Sequence, residues 1–290
     1  MKTEKNILVA FILNLGFSVF EFFGGLFTGS VAILSDSVHD MGDAASIGIS
    51  YFLEKKSKKK ADKTHTYGYI RYSVLGGLIT TVILIVGSIL VIIGAIKRIM
   101  NPVKINYSGM ILLGIIGVIL NFIAAFETKD GDSLNQKSVN LHMLEDVLGW
   151  IVVLLGAILM NFTDIRIIDP ILSICVSTFI LINTLKNLKE ITDLFLEKTP
   201  KNVDIEKIKK DILKIKGIDD VHHIHVWSID GINNYATMHI VSKEKDIESI
   251  KKKIRKTLEE DNICHTILET EPEVCSEKEC HPKLKHEEKD

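Results

Sequence analysis

Up to residue 185 the chain is built from long apolar runs, at 7–27, 31–52, 74–96, 108–126, 139–160 and 167–185. A helix needs about 20 apolar residues to cross a bilayer, so the pattern predicts six transmembrane helices with both termini on one side. Thr28, Gly29 and Ser30 alone separate the first two runs, which predicts a tight antiparallel hairpin. Beyond Lys186 the pattern becomes that of a domain in water. Apolar positions 205, 208, 212 and 215 recur at helical spacing, and 221–229 and 235–241 alternate like strands around a turn at Asp230-Gly231. A second helix over 246–258 and a third strand over 263–268 complete the order αββαβ, which predicts a small α+β domain of the ferredoxin-like kind. The expected division is a six-helix transmembrane domain over 1–190, a linker over 191–203, the ferredoxin-like domain over 204–270 and a mobile charged tail over 271–290. A sheet this small buries little, so dimerisation or metal binding would help to stabilise it.

Ionisable residues inside the apolar runs change the picture, because at membrane depth they are costly and mark functional sites. The stretch SDSVHDMGD, residues 35–43, puts Asp36, His39, Asp40 and Asp43 in the second run. Positions four apart share a helix face, so His39 and Asp43 point the same way. His142 and Asp146 repeat that HxxxD spacing in the fifth run. Two such pairs on facing helices supply two imidazoles and two carboxylates, a complete tetrahedral set for a divalent metal. Asp40 and Glu145 lie beside the pairs but on other faces, and with Asp36 are expected around the ion or in a vestibule. Asn14 and Asn121 read as interhelical hydrogen-bonding groups, whereas a carboxylate such as Glu21 needs a partner or a wet cavity. Histidine binds metal as neutral imidazole, so metal binding displaces protons and the set suits exchange of a metal for protons. HExxH is absent and four ligands leave no open position for an activated water, which argues against an intramembrane metalloenzyme.

Composition agrees with a chain shared between membrane and water: 47% hydrophobic with mean hydropathy +0.23, yet 25% charged. The net charge of -2 conceals an uneven distribution and says little about partners; no nucleic-acid partner is expected. Cys175, Cys264, Cys275 and Cys280 do not form a secreted disulfide framework. The start, MKTEKN before a long apolar run, reads as a first span and not as a removable signal. Lys55, Lys56, Lys58, Lys59, Lys60 and Lys63 place the connection after the second run in the cytoplasm, and with it both termini. Lys97, Arg98 and Lys104 form a weaker cluster that pulls the other way. The lysine-rich connection also suits anionic lipid head groups.

The motifs GGLFTGSVAILSDSVHDMGDA, THTYGYIRYSVLGGL, LHMLEDVLG and DVHHIHVWSI span most of the chain and resemble the cation diffusion facilitator family, the zinc exporters of bacteria and their eukaryotic vesicular relatives. The resemblance implies a six-span homodimer in the cell membrane with a cytoplasmic domain that dimerises and senses metal. It implies Zn²⁺ as substrate and regulatory ligand, with export in exchange for H⁺. His39, Asp43, His142 and Asp146 match the family's transport site, in the histidine-bearing form associated with zinc. Cd²⁺ and Co²⁺ are further candidate cargoes, and the alternatives are a Mn²⁺ or Fe²⁺ exporter of the same family or a membrane-anchored metal sensor. Asp62 and His65 match two ligands of a further loop site, but Tyr69 stands at the third, so a weak site is expected. Ser73 stands where most relatives carry glutamate. In the soluble domain His222, His239 and His265 match a regulatory site, whose carboxylate position is here Ile267. Cys275 and Cys280, next to His281, are candidate soft replacements. Strand alternation puts His222 with Ile224 and Val226 on one face and His223 with His225 and Trp227 on the other, and the resemblance favours His222.

Overall fold

The computed structural model describes residues 2–28, 31–101, 107–129, 133–163, 167–259 and 262–274, and the side chains of residues 24–39 lie outside that description. The chain forms two compact units, residues 1–192 and 193–290. The first is made of long helices: α1 (Lys2–Thr28), α2 (Val31–Ser57), α3 (Arg71–Met100), α4 (Tyr107–Thr128), α5 (Leu134–Thr163) and α6 (Ile168–Phe195). Four of them contain stretches long and apolar enough to cross a membrane, at Lys5–Phe23, Arg71–Met100, Ile111–Thr128 and Leu134–Gly156. α2 carries Asp36, Asp40 and Asp43 inside its apolar run, which lowers its hydropathy at the place where its chemistry lies. Large apolar side chains remain outside the bundle, with Phe52 at 70% exposure and Phe126 at 64%. Water would penalise such a surface, and a bilayer accepts it.

Lipid tails are as apolar as leucine, so small residues and hydrogen bonds must hold such helices together. α1 packs on α2 and α4, α3 on α2 and α5, and α4 on α5. At Gly77 an added Cβ would lie 3.0 Å from the Leu134 carbonyl oxygen, so α3 and α5 meet at backbone distance. The Ser50 hydroxyl on α2 hydrogen-bonds that of Thr80 on α3. Asn187 Nδ2 on α6 donates to Thr81 Oγ1 at 3.0 Å and to Ser138 Oγ at 2.9 Å, tying α6 to α3 and α5. A third tie centres on the buried Glu54 of α2, whose Oε2 accepts from the Ser73 hydroxyl of α3 and, at 3.3 Å, from Asn135 Nδ2 of α5. Ser73 therefore has a physical role: it donates to a carboxylate supplied by α2, at a position where a second carboxylate would repel the first.

The second unit contains α7 (Ile205–Leu213), β1 (Asp220–Ser228), β2 (Asn234–Val241), α8 (Ile247–Glu259) and β3 (Ile263–Glu271). Asp204 caps α7, its Oδ1 accepting from the backbone N–H groups of Glu206 and Lys207. Asp230 Oδ1 accepts from the N–H groups of Ile232 and Asn233 in the tight connection between β1 and β2. The sheet has the order β1-β2-β3, with β1 antiparallel to β2 and β3 parallel to it through α8. Ile208, Ile212, Ile250, Ile254 and Leu258 of the two helices pack on Val221, Val226, Ala236, Met238 and Ile240 of the sheet.

Strand β1 departs from strict alternation. Val221 and Val226 are both buried although five positions apart, which an unbroken strand of period two cannot achieve. A bulge between His222 and His225 supplies the shift, with His223 in the left-handed region at φ 50. The expected grouping of His222 with Ile224 and Val226, and of His223 on the opposite face, is corrected by that bulge.

Candidate functional site

α2 and α5 each carry polar groups four residues apart on one face, and the bundle brings the two helices together. Asp43, His142 and Asp146 offer ligand atoms that all lie within 4.8 Å of one another. His142 Nε2 is 3.7 Å from Asp43 Oδ2. Asp43 is 6% exposed and His142 is 3% exposed, and Asp146 is half-buried. Neither ring nitrogen of His142 makes a hydrogen bond among the described residues. Apolar packing surrounds the set, with Ile7, Ile47, Ala124, Val139, Met143 and Val147 in one cluster. Buried polar atoms are nearly always satisfied, so orphans next to two carboxylates need an explanation, and a cation taken between them provides it. Two carboxylates and an imidazole are the oxygen and nitrogen donors that zinc and its neighbours accept.

The fourth expected donor, His39, and its neighbour Asp36 belong to α2, but their side chains lie outside the described residues. Asp40 is half-buried. Glu145 turns to α3, where Ser88 Oγ donates to its Oε1 at 3.0 Å. Asn14 of α1, read from sequence as interhelical glue, donates through Nδ2 to Asp146 Oδ2 at 3.3 Å. The signal for it in the sequence is the spacing of Asn14, Ser18 and Glu21 on one buried face of α1, whose other face, with Ile12 and Phe20, is exposed.

A second cluster lies in the soluble unit. His222 and His239 are direct partners in the β1–β2 register, and the bulge brings His223 to them. The ring centroids are 4.9 Å apart for His222 and His223 and for His223 and His239, and ligand atoms of all three lie within 4.8 Å of one another. Glu271 at the end of β3 bridges two of them, with Oε1 2.7 Å from His239 Nδ1 and Oε2 3.3 Å from His222 Nε2. Glu269 Oε2 lies 3.7 Å from His239 Nε2. His265 is elsewhere: it pairs with Tyr235, and its ring lies tilted against that tyrosine with centroids 5.2 Å apart. Four residues of strand separate Tyr235 from His239, about 13 Å. The structure thus groups His223 and Glu271, not His265, with His222 and His239. Cys275 and Cys280 lie outside the described residues.

The loop after α2 has the opposite character, because its donors are already occupied. Asp62 Oδ1 accepts from the N–H and hydroxyl of Thr64 and from the N–H of His65, and Oδ2 accepts from the Tyr69 hydroxyl at 2.7 Å and from Lys59 Nζ at 3.2 Å. These bonds, the Tyr69 hydroxyl foremost and then Thr64, hold the Asp62 carboxyl far below the usual carboxylate range. The same hydroxyl, and Asp62 after it, raise the Lys59 ammonium above its ordinary value. His65 stacks on Tyr69 at 4.1 Å. Lys59 occupies the place beside Asp62 and Tyr69 that a metal would need.

Comparison with known proteins agrees with this division of the chain. The model of the cation efflux transmembrane domain matches residues 7–196, and that of the cation efflux protein cytoplasmic domain matches residues 200–273. A cadmium, cobalt and zinc/H(+)-K(+) antiporter of Bacillus subtilis is 32% identical, over 97% of this chain and 94% of the relative. The zinc transporter ZitB of Pectobacterium atrosepticum is 31% identical, over 96% and 90%. The metal cation efflux system protein CzcD of Cupriavidus metallidurans is 30% identical, over 82% and 76%. With both of its parts matched in order and relatives of this likeness along nearly its whole length, the chain belongs to the cation efflux, or cation diffusion facilitator, family of membrane transporters.

Proposed function

We propose that this protein exports Zn²⁺ from the cytoplasm in exchange for protons, with Cd²⁺ and Co²⁺ as further cargoes. The observation that carries this reading is the triad of Asp43, His142 and Asp146, two of them buried and the third half-buried, shared between α2 and α5. His39, one turn before Asp43, is the fourth ligand of the proposed site. Two carboxylates neutralise a divalent ion in a low-dielectric interior where an unpaired charge is costly. When the ion leaves, the same groups take up protons, which couples the two fluxes.

The proposed architecture has all six long helices spanning the membrane and both termini in the cytoplasm. The lysines of the α2–α3 connection support that orientation through the positive-inside bias. Residues 1–190 form the transport domain, 191–203 a linker, 204–270 a ferredoxin-like domain that dimerises the protein, and 271–290 a charged tail. The cluster of His222, His223, His239 and Glu271 is the proposed regulatory zinc site of that domain.

Purified protein in proteoliposomes tests the transport reading. Zinc uptake is expected to dissipate an imposed pH gradient, and Asp43→Ala and Asp146→Ala are expected to abolish uptake while insertion is retained. Wild-type uptake in both variants would overturn the site, and zinc movement that neither needs nor dissipates the gradient would overturn the antiport.

A further inference from the structure

We propose that Asn14 is a positioning residue of the transport site, holding the Asp146 carboxylate in place for the ion and presenting a neutral oxygen beside it. The inference rests on the transport reading of Asp43, His142 and Asp146. Three observations lead to it. The Asn14 amide nitrogen donates to Asp146 Oδ2 at 3.3 Å, across the interface of α1 and α5. Asn14 is 3% exposed, so its amide has no water to fall back on. Its other polar atom, Oδ1, is buried and makes no hydrogen bond among the described residues.

The third observation separates positioning from simple helix glue. Glue satisfies the groups it brings together, and here only the half of the amide that faces Asp146 is satisfied. Oδ1 shares a carbon with Nδ2, so it too stands at the rim of the triad. The two ring nitrogens of His142, another member of the triad, also make no hydrogen bonds among the described residues. Orphaned acceptor and orphaned imidazole thus gather where a cation would complete the set. A carboxamide suits the place for a further reason. It donates an N–H to one carboxylate oxygen of Asp146 yet adds no charge, so the two aspartates still balance a divalent ion. An aspartate at position 14 would repel Asp146, and an aliphatic residue would leave its rotamer unguided. Partners of metal ligands orient them in this way, and their removal typically weakens metal binding by about 10-fold to 100-fold.

The test is Asn14→Leu, which nearly keeps the shape of the side chain and removes both polar atoms. Zinc flux into proteoliposomes, measured over a range of zinc concentrations, is expected to show a KM raised at least about tenfold with kcat largely retained. Thermal unfolding of the same metal-free protein is expected to be unchanged or shifted upward, because the buried orphan oxygen is gone. A KM within twofold of wild type would overturn the proposal. So would a raised KM accompanied by a lowered unfolding temperature, which is what a purely structural asparagine gives. Asp146→Ala, measured in parallel, separates the two levels. If it still transports zinc, the transport reading itself fails; if it is inactive while Asn14→Leu behaves as wild type, only the role of Asn14 fails.

Discussion

Replacing Ser73 with glutamate puts a second carboxylate into a bundle where α2 already supplies one. In the native chain the Ser73 hydroxyl donates to Glu54 Oε2, both residues are 5% exposed, and Asn135 Nδ2 shares that oxygen. The substitution removes a hydrogen bond to a charged group, about 1.5–3 kcal/mol. It also brings two carboxylates to about 4 Å, where repulsion at an effective dielectric near 20 is about 4 kcal/mol. The sum is about 6 kcal/mol, a large part of the 5–15 kcal/mol that holds a typical folded protein together. Ser73→Glu is therefore expected to fold poorly when it stands alone.

Glu54→Gln in the same chain replaces repulsion by an amide that can donate to the new carboxylate, and is expected to restore folding. The assay is a double-mutant cycle on thermal unfolding of the detergent-purified protein, with zinc flux as a second readout. The expected coupling between the two positions is about 4 kcal/mol, the like-charge repulsion that the second substitution removes. Wild-type unfolding of Ser73→Glu alone, or no relief from Glu54→Gln, would refute the idea that one carboxylate organises these ends of α2, α3 and α5.

Two further outcomes follow from the loop and the soluble unit. Tyr69→Phe removes the largest cause of the low Asp62 pKa, so Asp62 should titrate at higher pH in carboxyl-selective NMR. A carboxylate whose pKa is depressed on folding stabilises above its unfolded pKa of about 3.9 and loses that contribution as pH falls toward the folded value. The native loop should therefore hold on acidification through pH 4 while the variant loosens earlier, and an unchanged Asp62 titration would count against the hydrogen-bond hub. In full-length protein carrying Asp146→Ala, His223→Ala and His239→Ala should each weaken zinc binding at the soluble unit about tenfold or more by calorimetry. His265→Ala should leave that binding unchanged, and an equal loss in His265→Ala would return that histidine to the cluster.

The groups of the proposed transport site stand out in the sequence because two physical rules act together on them. A charge inside an apolar run is expensive, so Asp43, His142 and Asp146 announce themselves, and helical spacing tells which of them share a face. Neither rule reaches Asn14. A single neutral amide in a span is cheap enough to be ordinary, and only the approach of α1 to α5 shows that it meets Asp146. The soluble unit fails differently. Alternation gives the faces of a strand only while its register is unbroken, and the bulge at His223 breaks it. His265 was misplaced because a strand's sequence does not say how far along its neighbour it pairs; β3 sets His265 against Tyr235 and Glu269 against His239. The pairing that fixes those partners spans the whole of α8.

Charge runs hide partners in the same way. Lys59 reads in sequence as one of six lysines that orient the chain, and nothing local distinguishes it from Lys60. The fold singles it out by turning Tyr69 and Asp62 toward it, so that a protein cation stands beside the carboxylate expected to ligate a metal. That exchange matters for the transport reading. A loop closed by its own lysine keeps its shape whatever the metal supply, so the proposed control of flux by zinc rests on the histidine cluster of the soluble unit. Metal-responsive hydrogen exchange should then appear in β1, at the end of β2 and at the end of β3, and not between Lys59 and Tyr69. Protection of the loop by added zinc would show that Lys59 yields its place, and that the resemblance at Asp62 and His65 carries metal chemistry after all.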